Sequence, residues 1–130
     1  MRFYEYESKA ILSEYGIAVP ASEFCQTAEE VRSAVIGINR PVALKSQVLS
    51  GGRMKAGGIK FAESADEAAA AAIDIFALSI SGNKPVGILV EEQMDVEQEY
   101  YAAVTYDGRA KKPLVIFSDM GGIDIEQVAE

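Results

Sequence analysis

Two capping boxes do most to limit the folds open to this sequence. Thr27 stands three residues before Glu30, and Ser64 three before Glu67. In each pair the hydroxyl accepts from an amide of the first helical turn while the glutamate reaches back to the amides before it. The first box opens a helix running through about Gly37. The second opens "ADEAAAAAIDIFALSI", whose alanine run has the highest helix propensity. Short extended segments flank both helices. "IAVPASEFCQ" is extended, with Pro20 at an edge or bend, and "NRP" then turns the chain into the strand "VALKSQVL". A glycine-rich loop leads to the short strand "GIKFA". After the second helix, "SGNKP" is a turn and "VGILVEEQM" an almost wholly apolar strand. From residue 20 to 94 the order is β-α-β-β-α-β, the split βαβ arrangement. Two helices then cover one face of a four-stranded sheet and leave the other face free to lie over something.

Either side of this unit the pattern changes. "FYEYESKAILSEYG" places Phe3, Tyr6, Ala10, Ile11 and Tyr15 near one helical face, and Gly16 caps the C-terminus. "EQEYYAAVTYDGRAKKPLVIFS" reads as two alternating strands joined around Asp107-Gly108, a hairpin. Glu99 falls inside the first of these strands, on the same face as Tyr101 and Ala103. "GGIDIEQVAE" reads as a loop entering a further helix rather than a finished domain.

The stretch with chemistry in it is "ALKSQVLSGGRMKAGGIKF", residues 43–61. The chain as a whole is acidic, with a net charge of −8, which excludes nonspecific nucleic-acid binding. Against that background Lys45, Arg53, Lys55 and Lys60 cluster in this one run. An acidic body with a local basic loop points to a small anion. Glycines at 51, 52, 57 and 58 can take positive φ and let a ligand approach the main chain. Successive amides then form an anion nest, to which Arg53 and Lys55 add charge-assisted bonds. The spacing is neither G-x-x-x-x-G-K-[ST] nor G-x-G-x-x-G, and the loop joins two strands instead of opening a helix. Its mobility suits a flap that closes over a triphosphate. The competing reading is a hairpin whose cations keep a sheet edge soluble. Lys45 favours the first, because an ammonium inside a buried strand costs free energy unless it meets an anion.

Other functional groups are few. The chain has no histidine, which removes imidazole acid–base chemistry and phosphohistidine formation on this chain. Cys25, the single cysteine, cannot form an intrachain disulfide and reads as a small core residue in a reducing compartment. No apolar run is long enough to span a membrane and no charged-then-apolar leader opens the chain. The expectation is a cytoplasmic protein, or a mitochondrial-matrix one if a presequence has been removed. Glu91 closes an apolar strand, where a carboxylate can accept from a ribose hydroxyl or an adenine amino group. A solvated acidic turn formed by Glu91, Glu92, Asp95 and Glu97 is the alternative.

Taken in order, "YEYESKAILSEYGIAVP", "LKSQVLSGGRMKAGGIKF", "ILVEEQMDVEQEYY" and "GGIDIEQVAE" resemble the N-terminal portion of succinyl-CoA synthetase (succinate–CoA ligase) β subunits. These belong to the ATP-grasp superfamily with malate–CoA ligase and the citrate–CoA-cleaving relatives. The resemblance covers residues 1–130 and implies an α/β (α+β) ATP-grasp fold. Residues 20–94 would be the smaller lobe, 1–19 a helix of the larger lobe, and 95–130 the larger lobe's truncated start, with the nucleotide held between lobes.

The resemblance further implies that Lys45 binds nucleotide phosphate and that Gly52-Arg53-Met54 covers the triphosphate. Glu91 would contact adenine or ribose, Met94 the base through its backbone, and Glu99 the ribose hydroxyls. One position departs from the family: glycine is usual where this chain has Met54. Such enzymes couple cleavage of ATP (or GTP) to ADP and phosphate with thioester formation from a small carboxylic acid and coenzyme A. The reaction passes through an acyl phosphate and a phosphorylated histidine on a partner α subunit, which also binds most of the coenzyme A. Magnesium ligands and the acid-binding loop are expected beyond residue 130, so that this stretch alone would not turn over. Two other readings remain at this point, a non-catalytic nucleotide-binding ATP-grasp module and an assembly fragment. Neither the acid nor the choice of ATP over GTP is legible.

Overall fold

The structure is a computed structural model and describes residues 1–121. The segment past Gly121, expected to enter a new helix, lies outside the described residues. The described chain forms two compact units, Met1–Met94 and Asp95 onward.

The first unit contains α1 (Glu5–Glu14), β1 (Ser22–Cys25), α2 (Ala28–Ile38), β2 (Val42–Ser46), β3 (Ile59–Ala62), α3 (Ala65–Ala77) and β4 (Ile88–Glu92). Both capping hydroxyls act as the sequence leads one to expect. Thr27 accepts from the Glu30 amide at 3.2 Å and Ser64 from the Glu67 amide at 3.3 Å. The reciprocal glutamates reach one residue further back, to the amides of Gln26 and Glu63. Each such cap stabilises its helix by about 1 kcal/mol.

The sheet order is β1-β4-β2-β3, with every neighbouring pair antiparallel. Each βαβ crossover therefore spans one intervening strand, as the split arrangement requires. Strand alternation then sorts the residues by face. Val42, Leu44, Ala62, Ile88 and Val90 meet Val31, Ala34 and Val35 of α2 and Ala68, Ala72 and Ile75 of α3 in one buried cluster. The small alanines let α3 sit close to the sheet. Lys60 lies opposite Leu44 in the ladder and bonds Asp74 of α3 at 2.5 Å. It therefore leaves the cationic group to which its sequence position assigns it.

The other face carries Phe24, Ala43, Lys45, Leu89 and Glu91, and α1 lies over it. Tyr6 stacks on Phe24 with ring centroids 4.1 Å apart, and the Tyr6 amide donates to Gln47 Oε1 at 3.2 Å. Its helical bounds and Gly16, at φ +78°, agree with the expected cap. Of the expected apolar stripe Tyr6 takes part in the docking, whereas Phe3, Ala10 and Ile11 are exposed and Tyr15 is 83% exposed. α1 thus packs with residues 20–94, whereas the sequence reading puts it with the larger lobe. The contacts that hold it are charged and aromatic, not the aliphatic ones that periodicity detects.

The second unit is the hairpin β5 (Tyr101–Asp107) and β6 (Lys112–Ser118), paired from Tyr101↔Ser118 to Asp107↔Lys112. Its loop is longer than the Asp-Gly signal suggests. Asp107 Oδ1 accepts from the amides of Arg109 and Ala110, and these bonds hold its carboxyl below the ordinary carboxylate range. The left-handed position is Lys111, at φ +52°. Glu99 is not in the strand. The ladder starts at Tyr101, and Glu99 instead accepts the Gly121 amide through its carbonyl at 3.0 Å.

Candidate functional site

Lys45 stands on β2 with its ammonium on the face under α1, 2.6 Å from Glu91 Oε1 and 3.1 Å from Glu5 Oε1. The neighbouring strand β4 supplies Glu91 because Ala43 and Glu91 are ladder partners, one step from the Lys45–Leu89 pair. α1 supplies Glu5 and Lys9, one helical turn apart and 3.3 Å from each other. Lys9 also pairs with the second oxygen of Glu91. Arg53 reaches in from the loop: its Nη1 donates to Glu5 Oε2 at 2.8 Å and to the Ser46 carbonyl at 3.0 Å. Three cations and two carboxylates thus form one network. Glu91 is its most enclosed member, with 7% of its side chain exposed.

The network sets the protonation of its members. Burial pushes the Glu5 carboxyl up, but the charges and bonds of Lys45 and Arg53 outweigh it and bring its pKa down to about 2. Burial likewise works against the Lys45 ammonium, and the Glu91 bond together with the charges of Glu5 and Glu91 reverses this, raising its pKa. Lys45 is therefore a fixed positive charge. Cys25 is different in kind: burial, then Glu23 and Glu30, push its thiol up to about 12, so it is a core residue and no nucleophile.

The glycine loop joins β2 to β3 and is wound on itself. The amide of Ala56 donates to the Gly52 carbonyl, that of Gly57 to Met54 and that of Gly58 to Arg53. These bonds narrow the anion nest to the amides before Ala56. Of the four glycines, Gly52 and Gly57 have positive φ, +76° and +75°; Gly51 and Gly58 do not. Gly58 is there for space, since a Cβ would press on Ser46 Oγ and Ile80. Lys55 is exposed.

Met54 is not among the residues with positive φ, and its side chain is 36% exposed. Its methionine therefore costs the turn no backbone strain. Met54→Gly is expected to leave ATP affinity within about twofold and to lower stability by ~0.5–1 kcal/mol through unfolded-state entropy. Calorimetric titration and thermal melting of the variant would check both.

Of the residues expected at the site, Lys45, Arg53 and Glu91 come together in one cluster. Gly52 and Met54 flank Arg53 in the loop. Met94 is exposed just past β4, and Glu99 is exposed in the second unit. Sequence reasoning missed Glu5 and Lys9. Their i,i+4 spacing was the available signal, but α1 draws attention through its apolar positions. Among the described residues no three His, Cys, Asp or Glu side chains are grouped to hold a metal ion.

Residues 2–130 match the ATP-grasp domain family. The chain belongs to that family. It is 47% identical over all 130 residues to the succinate–CoA ligase [ADP-forming] subunit β of Methanocaldococcus jannaschii, and 44% identical to that of Haloarcula marismortui. The ATP-grasp chain spans about a third of these curated relatives, 35% and 34% of their lengths. The resemblance carried by the four motifs thus holds across the whole chain. Among solved structures, the dinucleotide-forming acetyl-coenzyme A synthetase 1 of Ca. Korarchaeum cryptofilum, in complex with coenzyme A, Ca-AMPCP and HgCl+, matches with a TM-score of 0.81. That match has 26% identity and covers 98% of this chain and 57% of the other. PH1788 from Pyrococcus horikoshii, at 24% identity and a TM-score of 0.82, shares the fold.

Proposed function

We propose that this chain is the nucleotide-binding part of an acid–CoA ligase β subunit of the succinate–CoA ligase type. The whole enzyme would couple cleavage of ATP to ADP and phosphate with thioester formation from a small carboxylic acid and coenzyme A. In this reading residues 20–94 are the smaller ATP-grasp lobe and residues from 95 begin the larger one. Lys45 and Arg53 grip the phosphates, Gly52 and Met54 let the loop close over them, and Glu91, Met94 and Glu99 serve the nucleoside. Magnesium would be held by residues outside this chain, and a phosphorylated histidine would come from a partner α subunit. The working compartment is the cytoplasm.

The observation that carries the reading is the convergence of Lys45 and Arg53 on one carboxylate at the root of the glycine loop. Two cations from separate elements already share an anion there, within 3.1 and 2.8 Å. A phosphate oxygen pair asks for the same arrangement. Support comes also from the relatives, which are named ADP-forming ligases, and from the solved neighbour complexed with coenzyme A and Ca-AMPCP.

The test is an ATP titration followed by amide chemical shifts. Residues 45–58 are expected to move together and saturably. Shifts absent from that stretch at millimolar ATP would reject the nucleotide reading. Thioester formation by the intact enzyme with its partner subunit, supplied with candidate acids and with ATP or GTP, would then resolve the substrate.

A further inference from the structure

Glu5 stands out among the charged groups because the nucleotide reading gives it no task. It reaches both cations that the reading assigns to phosphate: Oε1 lies 3.1 Å from Lys45 Nζ and Oε2 lies 2.8 Å from Arg53 Nη1, with Lys9 3.3 Å from Oε1. Glu91 touches Lys45 and Lys9 but is not paired with Arg53. The two carboxylates also differ in mounting. Glu91 is on a central strand, flanked by β1 and β2, and its side chain is 7% exposed. Glu5 is in the first turn of α1 and 19% exposed.

We infer that Glu5 is an internal stand-in for phosphate, holding Lys45 and Arg53 in the empty site and surrendering them when a polyphosphate arrives. The inference rests on the nucleotide reading above. Its physical basis is competition. Without Glu5, two enclosed cations beside Lys9 would repel one another, and Arg53 would keep only its bond to the Ser46 carbonyl of β2. A carboxylate removes that cost. It carries a single charge where a triphosphate brings several, so a triphosphate can displace it. Glu91, better enclosed, then remains to orient Lys45. Glu5 acts through the two cations, which makes it a positioning residue that lowers affinity in exchange for an ordered empty site.

The proposal separates from a purely structural role by the sign of one effect. Glu5→Gln in the intact protein is expected to bind ATP about tenfold more tightly, because the competing anion no longer taxes the bound state. The gain should shrink in high salt, where the carboxylate is screened. Glu7→Gln removes the same charge two residues away, from a carboxylate that caps the Tyr4 amide, and should change affinity by less than about twofold.

Calorimetric titration with ATP reads all three proteins. Wild type binding ATP while Glu5→Gln binds equally or more weakly would overturn the inference and make Glu5 a scaffold. Failure of both to bind at millimolar ATP would instead remove the nucleotide reading, and the inference with it. If Glu5→Gln does not fold, a crystal structure of wild type with a non-hydrolysable ATP analogue decides. Glu5 lying beyond about 4 Å from both cations supports displacement, and Glu5 still paired while phosphate occupies Lys45 refutes it.

Discussion

Lys45→Met is expected to weaken ATP binding by about 100-fold, a loss of ~3 kcal/mol, corresponding to one or two charge-assisted hydrogen bonds. Methionine keeps the length and apolar stem of the side chain, so the sheet face below α1 stays filled. What it removes is one of the two ammonium groups that pair with both Glu5 and Glu91, the other being Lys9. Glu91 then depends on Lys9 alone, and Glu5 on Lys9 and Arg53. A moderate drop in melting temperature is therefore part of the expectation, and affinity must be measured well below it. Titration of the variant at 25 °C checks the result. Affinity within about threefold of wild type would mean that the phosphates are held elsewhere, and that Lys45 is only the centre of a structural ion network.

The alternation of elements was legible because each had a local cause. Thr27 and Ser64 announce their helices by a bond made within four residues. The run from Val42 to Ser46 has the apolar density of a buried strand, and Ile80 to Asn83 closes a tight turn through positive φ at Ser81 and Gly82. The site was legible only on its sheet side. Lys45 and Glu91 betray themselves as charges in apolar strands, and Arg53 by its glycines. Glu5 and Lys9 sit in a helix rich in ordinary charged residues, where nothing local distinguishes a buried ion pair from a solvated one. Their role follows from the docking of α1, a contact more than 30 residues distant in the chain. Lys60 fails in the opposite sense. It is near the loop in sequence, but strand parity sends it to the helix-covered face, where Asp74 takes it. Glu99 depends on where a ladder begins, which alternation alone does not determine.

The docking of α1 also exposes the most vulnerable backbone position in the first unit. Gly87 lies just before β4, its carbonyl accepting the Gln47 amide at 2.9 Å. A Cβ there would overlap the Phe24 ring and come within 2.8 Å of the Cys25 carbonyl. The ring cannot simply retreat, because Tyr6 is stacked on it with centroids 4.1 Å apart. Nor can the carbonyl, since Cys25 is paired with Ile88 in the β1–β4 ladder. Gly87→Ala is expected to cost about 2–3 kcal/mol, from overpacking against main chain and a trapped aromatic. Denaturant unfolding would measure it, with a lower midpoint at unchanged slope. The strain should also tilt α1 and loosen the Glu5 and Lys9 contacts, so ATP-free protein would show faster amide exchange along residues 5–14. Phe24→Leu in the Gly87→Ala background should recover at least half of the loss, a coupling that neighbouring sites are expected to show. A loss below about 0.5 kcal/mol would mean that Phe24 has a second rotamer open to it and that Tyr6 does not clamp the ring.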